Sequence, residues 1–322
     1  MLTSGGDAAG MNMAIRAVVR SAITRGWQCY GIYEGYAGLI APPERARIRP
    51  LEARDVGGIL GAGGTVLGSA RCPEFKLDEV RRRGLANLQQ LGIEALVVIG
   101  GNGSQTGAHA LMRDGLAVVG IASTIDNDLE GTDITLGADT AANVAAEAVD
   151  KLRVTASSHR RASVIEVMGR DCGYLALTVG LACGAEAIVI PEVELEPDAV
   201  AERIEDAYRR GKKHAIVVVA EGAKHDGATL TKILTEQHAR IGFEVRLTVL
   251  GHVQRGGTPT VFDRLLGARL GHAAVEAIAR DEFGVVVGLR GQQLTTTPLD
   301  QVVGRQKPLD TNLIELARVL AR

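Results

Sequence analysis

Three apolar runs of the sequence are followed by turns rich in glycine or carboxylates. TSGGD spans Thr3–Asp7, GGNGS spans Gly100–Ser104 and STIDNDLEGTD spans Ser123–Asp133. Closely spaced glycines let backbone N–H groups close around a phosphate, and a phosphate brings magnesium, which prefers carboxylate oxygens. On an extended chain Asp126 and Asp128 point to the same side. These turns therefore predict phosphate and metal chemistry.

Two further turns carry cations. Arg170 follows a glycine in EVMGRDCG, and His252 and Arg255 stand in LGHVQRGG. A guanidinium can hold two phosphate oxygens at once, so each turn suits a phosphoryl group. A single turn of this kind is as readily a solvated loop or a surface salt bridge. Five of them, each after a strand, favour a binding site.

Strands and helices alternate along the chain to position these turns. Leucines recur at helical spacing before Gly92, and a second apolar helix face ends near Gly26. The alternation predicts an α/β fold with mostly parallel sheet, helices on both faces and ligands beyond the carboxyl ends of the strands. Pro42–Pro50 and Thr295–Pro298 are predicted linkers. The predicted strands are Ala95–Ile99, Leu116–Ala122, Ser163–Met168, Ala187–Ile190, Ala215–Ala220, Val245–Leu250 and Val285–Leu289.

Composition narrows the class of protein. The 322 residues predict two domains or one large α/β unit, and the net charge of −2 gives no general attraction to nucleic acid or a membrane. No apolar run reaches the roughly 20 residues that span a bilayer, and we expect no secretion signal. The four cysteines lack CxxC spacing, which favours a reducing cytoplasm over zinc or disulfides. Neither GxxxxGK[ST] nor GxGxxG occurs, which excludes a standard P-loop and disfavours a nicotinamide oxidoreductase.

Taken together, the motifs resemble the bacterial 6-phosphofructokinase family, and the resemblance covers essentially the whole chain. It implies two doubly wound parallel-sheet domains of the phosphofructokinase type. It also implies ATP-dependent phosphorylation of the 1-hydroxyl of fructose 6-phosphate, a step of glycolysis. In the family's order and spacing stand the segments TSGGDAAGMN, LGSARCPEF, VVIGGNGS, STIDNDLEGTD, SSHRRASVIEVMGRDCG, IPEVE, GKKHAIVVVAEG and TVLGHVQRGGTP.

The resemblance implies the catalytic and metal-linked residues. Asp126 is the general base that takes the hydroxyl proton, Arg170 stabilises the transferring phosphoryl group, and Thr124 contacts the site of transfer. Mg²⁺ is the implied cofactor, with Asp128 near it. Asn102 stands where most ATP-using relatives have a metal-linked aspartate, and its amide can still accept one bond from a metal-bound water.

The resemblance also implies which residues hold the two substrates. Arg161 and Arg246 match two arginines that reach across from a neighbouring subunit, so a homo-oligomer with shared active sites, usually a tetramer of paired dimers, is implied. ATP would be bound by Gly6, Tyr36, Arg71, Cys72, Gly101, Asn102, Gly103 and Ser104. Fructose 6-phosphate would be bound by Thr124, Asp126, Arg161, Met168, Gly169, Arg170, Glu221, Arg246, His252 and Arg255.

An effector site is only partly matched. Arg16 and Arg20 are four residues apart on one helix face, so both can meet one phosphate. Ala53 and Ala62 replace two expected arginines, which leaves allosteric control by ADP or phosphoenolpyruvate open. Further residues of the family's effector pocket are matched by Arg153, Glu186, Arg210, Lys212 and His214.

The choice of phosphoryl donor separates the main alternatives. Relatives that use pyrophosphate carry an aspartate at the position of Gly103 and a lysine at that of Ser123, so this chain favours ATP over pyrophosphate. A catalytically silent regulatory paralogue is the other alternative. Only Asn102 favours it, and the presence of Asp126, Asp128 and Arg170 opposes it.

The motifs also predict the domain boundaries. Strand-end motifs for donor and acceptor alternate along the sequence, so the chain should cross between two domains more than once. We predict an ATP-binding domain at residues 1–137 plus 254–304 and a fructose 6-phosphate-binding domain at 138–253 plus 305–322. The predicted protein is cytoplasmic and binds neither nucleic acid nor membrane.

Overall fold

The protein is described here by a computed structural model that covers residues 1–45, 47–310 and 312–321. The strands are β1 (Leu2–Thr3), β2 (Tyr30–Ile32), β3 (Ile48–Pro50), β4 (Ala95–Gly100), β5 (Ala117–Ala122), β6 (Arg161–Val167), β7 (Ala187–Val189), β8 (Ala215–Ala220), β9 (Glu244–Val249), β10 (Val285–Arg290) and β11 (Gln293–Pro298). The α-helices are α1 (Met11–Thr24), α2 (Gly35–Leu39), α3 (Asp78–Gln90), α4 (Asn102–Arg113), α5 (Ala138–His159), α6 (Tyr174–Ala182), α7 (Pro197–Arg209), α8 (Gly227–Glu236), α9 (His238–Ile241), α10 (Val261–Ala279), α11 (Leu299–Val302) and α12 (Asn312–Leu320).

The chain forms two compact units. The first contains Met1–Thr140 and Arg255–Lys307, and the second contains Ala141–Gln254 and Pro308–Arg322. The sequence predicts crossings after residues 137, 253 and 304, and the structure has them after residues 140, 254 and 307. Which substrate each unit binds stays a prediction.

The first unit is built on a seven-stranded sheet in the order β11-β10-β5-β4-β1-β2-β3. The five inner strands are parallel, and β3 and β11 pair antiparallel at the two edges. Strand β3 takes up the last three residues of the predicted linker Pro42–Pro50, of which residue 46 lies outside the described residues, and β11 includes all of the predicted linker Thr295–Pro298, so the linker prediction is wrong for these strand residues. An edge strand needs hydrogen bonds on one side only and therefore tolerates the prolines and polar residues that suggested a linker.

The inner strands of this sheet are buried on both faces. Leu96 and Val98 of β4 join a core with side chains of α3, α4 and α11, whereas Val97 and Ile99 point to the other face and are equally buried. On that face α1 packs against α10 and α10 against β5. Continuous apolar runs such as ALVVI are what burial on two faces requires. The predicted α/β class with helices on both faces is confirmed.

The second unit is built on a four-stranded, wholly parallel sheet in the order β7-β8-β6-β9. Every residue of β8 is buried, and the core includes Val217 and Val219 together with Ile204 of α7 and Leu230 of α8. Among the described residues, no helix is long and apolar enough to cross a membrane. All four cysteines carry free thiols.

Candidate active site

The predicted phosphate turns of the first unit lie together. Strands β1, β4 and β5 are parallel neighbours, so their carboxyl ends open at one edge of the sheet. The backbone N–H of Ser4 donates to the carbonyl oxygen of Ile99 (3.0 Å), and that of Ser123 donates to the carbonyl oxygen of Gly100 (3.2 Å). These bonds join the turns that follow the three strands. The edge therefore combines two glycine turns with the aspartate turn.

The second glycine turn opens directly into a helix. Helix α4 begins at Asn102, so its first N–H groups and positive dipole end lie beside the turn. A Cβ atom at Gly103 would meet no described protein atom within 4 Å. Glycine inside a helix costs about 1 kcal/mol relative to alanine, and packing against the protein does not require it here. The open face at Gly103 is suited to an anionic ligand.

Tyr36 is buried next to the second glycine turn. Its ring is 5% exposed and stacks on Phe75 with 4.2 Å between centroids, and its hydroxyl donates to the carbonyl oxygen of Ser104 (2.6 Å). A Cβ at Gly107 would meet the same ring at 2.6 Å. Burial raises the pKa of the phenol, so it stays a neutral donor. Tyr36 is a buried support beneath Ser104, and its place beside the nucleotide base stays a prediction.

Gly6 of the first glycine turn leaves room for a close approach of the Arg255 guanidinium. A Cβ there would lie 2.4 Å from Nη1 of Arg255, whose side chain is buried and donates to the carbonyl oxygen of Asp7 (2.9 Å). Arg255, predicted as a sugar-phosphate residue, therefore lies against the predicted nucleotide turn. Of the other predicted ATP residues, Arg71 is exposed. Burial, followed by the charge of Glu74, raises the pKa of Cys72 to about 11, so its thiol is neutral near pH 7.

The aspartate turn after β5 is buried and tightly bonded. Thr124 is 8% and Asp126 4% exposed. The hydroxyl of Thr135 donates to the carbonyl oxygen of Thr124 (2.6 Å). Asn127 has φ of 51°, in the left-handed region, so the chain between the two aspartates is not extended. The argument that placed both carboxylates on one side of an extended strand is wrong, because a turn residue separates them.

Asp128 and Asn102 are in direct contact. Nδ2 of Asn102 donates to Oδ2 of Asp128 (2.9 Å), whereas Oδ1 of Asp128 is buried and accepts no hydrogen bond from the described residues. No group of three or more histidine, cysteine, aspartate or glutamate side chains that could hold a metal occurs among those residues. One carboxylate oxygen with unused acceptor capacity fits Mg²⁺, which keeps several waters and relies on substrate phosphates.

The predicted sugar-phosphate residues of the second unit lie at its own strand edge. Strands β8, β6 and β9 are parallel neighbours, and their carboxyl ends lead to Glu221, to Met168–Arg170 and to His252. Oε1 of Glu221 accepts the backbone N–H groups of Gly169 (3.2 Å) and Arg170 (2.9 Å). Gly169 has φ of 142°, which favours glycine. Glu221 thus fixes the turn that presents the exposed Arg170.

Arg161 and Arg246 are not at that edge. Arg161 is the first residue of β6, and at roughly 3.3 Å per residue it lies about 20 Å before Met168. Nε of Arg161 donates to Oε2 of Glu244 (2.8 Å), and Arg246 donates to the other oxygen of the same carboxylate. The hydrogen bond from Arg161 is the main cause of the lowered pKa of Glu244. The carboxylate of Glu244, a residue that the sequence analysis did not single out, thus accepts hydrogen bonds from both arginines.

Most of the predicted effector residues of the second unit form bonded pairs. The buried carboxylate of Glu186 accepts from Nζ of Lys212 (2.8 Å) and from the backbone N–H of Ile216 (2.6 Å). Arg153 donates to the carbonyl oxygen of Cys183, and Nδ1 of His214 lies 2.7 Å from the hydroxyl of Ser157. Desolvation is the main cause of the lowered pKa of His214. Arg210 pairs with Asp206 (2.9 Å).

In the first unit only one of the two predicted effector arginines is exposed. Nη1 of Arg16 donates to the carbonyl oxygens of Val56 (2.7 Å) and Gly57 (3.2 Å), whereas Arg20 lies exposed on α1. Helical spacing therefore does not leave both guanidinium groups equally available for one phosphate. Arg16 has a structural bond to the loop beside it.

The fold and the two strand-edge sites define a doubly wound α/β protein with phosphate-binding turns. The phosphofructokinase family model matches residues 1–278. The chain is 51% identical over 322 residues to "ATP-dependent 6-phosphofructokinase 1" of Thermus thermophilus and 50% identical over 321 residues to "ATP-dependent 6-phosphofructokinase" of Halalkalibacterium halodurans, covering 100% of this chain and 98% of each relative. The chain belongs to the phosphofructokinase family.

A solved structure shares the fold. The crystal structure of Pichia pastoris phosphofructokinase in the T-state matches with a TM-score of 0.88 and 36% identity over 99% of this chain. The match covers 36% of that longer chain. The overall fold described above therefore recurs in another phosphofructokinase.

Proposed function

We infer that the protein transfers the γ-phosphoryl group of ATP to the 1-hydroxyl of fructose 6-phosphate, a step of glycolysis. The observation that carries this inference is the first unit's strand edge, where two glycine turns meet a buried aspartate turn. Phosphoryl transfer needs phosphate positioning, charge neutralisation and a group that accepts the hydroxyl proton, and this edge has residues of each type. The names of the close relatives support the same reaction.

In this proposal the first unit binds ATP, and the sugar phosphate is bound by residues of the second unit together with Arg255, Asp126 and Thr124 of the first. The ATP phosphates are bound at Gly6, Gly101–Ser104 and the first turn of α4, with Arg71 and Cys72 nearby. Asp126 takes the proton of the acceptor hydroxyl beside Thr124. The sugar phosphate is held by Met168, Gly169, His252 and Arg255. Glu221 holds the turn that carries Arg170, whose guanidinium would stabilise the transferring group.

ATP is the preferred donor because of two positions. An aspartate in place of Gly103 would set a negative charge on the open face of α4, against the α-phosphate of a nucleotide. Ser123 is fully buried, and its hydroxyl donates to the carbonyl oxygen of Leu136 (3.3 Å). A lysine, as in relatives that use pyrophosphate, would have to displace that packing. Both residues support ATP over pyrophosphate.

Asp128 would hold Mg²⁺ through its buried Oδ1, with Asn102 beside it. The ion, when bound, supplies positive charge that neutralises the donor phosphates. Asp128 contributes one oxygen ligand, and Asn102 holds the other oxygen of the same carboxylate through a neutral amide. Asn102 thus orients the Asp128 carboxylate without placing a further negative charge beside it.

Asn102→Asp should tighten the apparent magnesium affinity by about tenfold at most. It places a second carboxylate against Asp128, so the metal-free protein gains like-charge repulsion that a divalent cation relieves. The variant should melt at a lower temperature than the native chain without Mg²⁺ and recover most of the difference when MgCl₂ is added. The control is KCl at equal ionic strength. An unchanged response to magnesium, in melting and in rate against free Mg²⁺, would show that residue 102 does not face the metal.

The reaction itself is tested by a coupled assay with a panel of donors and acceptors. ATP with fructose 6-phosphate should give the highest kcat/KM, and pyrophosphate should give no more than a small fraction of that rate. Sedoheptulose 7-phosphate tests the breadth of the acceptor site. A higher rate with pyrophosphate than with ATP, or no turnover with any pair, would overturn the proposed function.

We also propose a cytoplasmic homo-oligomer whose active sites are shared between subunits. Arg161 and Arg246 lie far along their strands from Met168–Arg170, which supports a role for them in a neighbour's site. Two guanidinium groups on one carboxylate are also arranged to bind a dianion together. Four free thiols are consistent with a reducing compartment.

A further inference from the structure

The turn that carries both aspartates is shaped by the residue between them. Asn127 is 2% exposed and has a left-handed backbone. Its Oδ1 accepts the backbone N–H of Thr135 (2.9 Å) and Nζ of Lys307 (2.7 Å), and its Nδ2 donates to the carbonyl oxygen of Asp133 (3.3 Å). Asparagine tolerates this backbone better than most residues, and its side-chain bonds hold the turn in place.

Lys307 binds this turn with both its side chain and its main chain. Nζ donates to Oδ1 of Asn127 (2.7 Å) and to the carbonyl oxygens of Thr132 (3.2 Å) and Asp133 (2.8 Å). An ammonium group has three N–H donors and can serve all three of these acceptors. The backbone N–H of Lys307 donates to the carbonyl oxygen of Asp128 (3.0 Å). We name this set of bonds, from Lys307 to Asn127, Asp128, Thr132 and Asp133, the lysine clasp.

The clasp reaches the turn from far along the sequence. Lys307 is the last residue of the first unit, and its neighbour Gln306 forms a bridge with Leu129, directly after Asp128. Residues 306 and 307 thus lie alongside residues 127–129 for their whole length. Charge-assisted bonds of this kind are roughly twice as strong as neutral ones, so the three bonds of Lys307 are suited to hold the turn.

We propose that Lys307 is a positioning residue for the reaction, which it serves through Asn127 and the main chain of the aspartate turn. The proposal rests on the proposed function, in which Asp126 is the general base and Asp128 holds the metal. Without the ammonium group, the carbonyl oxygens of Thr132 and Asp133 and the amide of Asn127 lose a shared donor. Asp126 and Asp128 then lose their fixed placement, and a displacement of about 1 Å at a reacting group can cost about a hundredfold in rate.

The test compares Lys307→Met with Arg305→Met in the native full-length chain. Arg305 is exposed and lies two residues away, so its variant removes the same charge without touching the turn. Lys307→Met should lower kcat by roughly ten- to a hundredfold and leave both KM values within about threefold. Amide hydrogen exchange of residues 124–136 in the ligand-free protein should become at least about tenfold faster. Arg305→Met should change neither quantity.

A second variant keeps the test decisive if the methionine variant folds poorly. Lys307→Gln keeps an amide group with two N–H donors but no charge, and it should give intermediate values of kcat and of hydrogen exchange. A native kcat in either Lys307 variant would overturn the proposal. So would faster exchange spread through the first unit, because Lys307 would then contribute to overall stability. Hydrogen exchange tests the clasp even if Asp126 is not the base, so failure of the clasp and failure of the proposed function remain distinguishable.

Discussion

Asp126→Asn should lower kcat by about 10²- to 10⁴-fold and change the affinity for fructose 6-phosphate by no more than a few-fold. An amide has nearly the size and shape of the carboxylate but cannot take the proton of the acceptor hydroxyl, and general-base assistance is typically worth that factor. Asp126 is almost wholly buried in the turn after β5. Because asparagine keeps the size and shape of the side chain, the variant should preserve the fold. The measurements are steady-state kinetics and calorimetric titration with fructose 6-phosphate.

The control for this variant is Asp55→Asn. Asp55 is an exposed aspartate outside both strand edges, and its carboxylate accepts only the backbone N–H of Glu52 among the hydrogen bonds described. The Asp55→Asn variant removes one carboxylate charge, as Asp126→Asn does, and should leave kcat near the native value. If Asp126→Asn also retained near-native kcat, Asp126 would not be the base and the assignment of the aspartate turn would be wrong.

Arg161 and Arg246 are predicted to bind the phosphate of fructose 6-phosphate. Arg161→Ala should raise KM for fructose 6-phosphate more than it lowers kcat, because losing one charge-assisted bond to a buried phosphate costs roughly 1.5–3 kcal/mol. Arg246→Ala should have the same effect.

Mixing the Asp126→Asn and Arg161→Ala variants should restore part of the activity. If these arginines serve a neighbour's site, hybrid oligomers of the two variants contain sites in which both Asp126 and Arg161 are native. With random assortment about a quarter of the sites recover.

The mixing experiment needs proof that subunits exchange, for example by native mass spectrometry of differently tagged chains. Each variant carried alone through the same exchange procedure is the control, and neither should gain activity. Absence of recovery after demonstrated exchange would mean that each site is built within one chain. Arg161 and Arg246 would then hold only Glu244, the partner they have in the described chain.

The central strands and the strand-end turns could be predicted from sequence because burial on both faces leaves a continuous apolar run. ALVVI and AIVVVA became β4 and β8 for that reason. The edge strands could not be predicted in this way. Ile48–Pro50 and Gln293–Pro298 need to satisfy only one neighbour, so proline, arginine and threonine are tolerated and the strand pattern is lost.

Within the site, the sequence could indicate which residues lie at strand ends but not what each side chain contacts. Nothing in the sequence indicated that Tyr36 supports Ser104 through a buried hydrogen bond. Glu221 looked like a sugar contact and holds two backbone N–H groups of the arginine turn. Asn127 and Lys307 gave no signal, because their bond joins residues 180 positions apart along the chain. Such contacts are set by tertiary packing, which local patterns do not report.

The most direct test of the proposed function is a phosphorus NMR time course of the native protein with ATP, Mg²⁺ and fructose 6-phosphate. We predict that the γ-phosphate signal of ATP falls as ADP appears, and that a new phosphomonoester signal grows at carbon 1 of the sugar at the same rate. The Asp126→Asn variant should give almost no such signal over the same period. Release of inorganic phosphate without sugar phosphorylation, or a new phosphate at another carbon, would contradict the account.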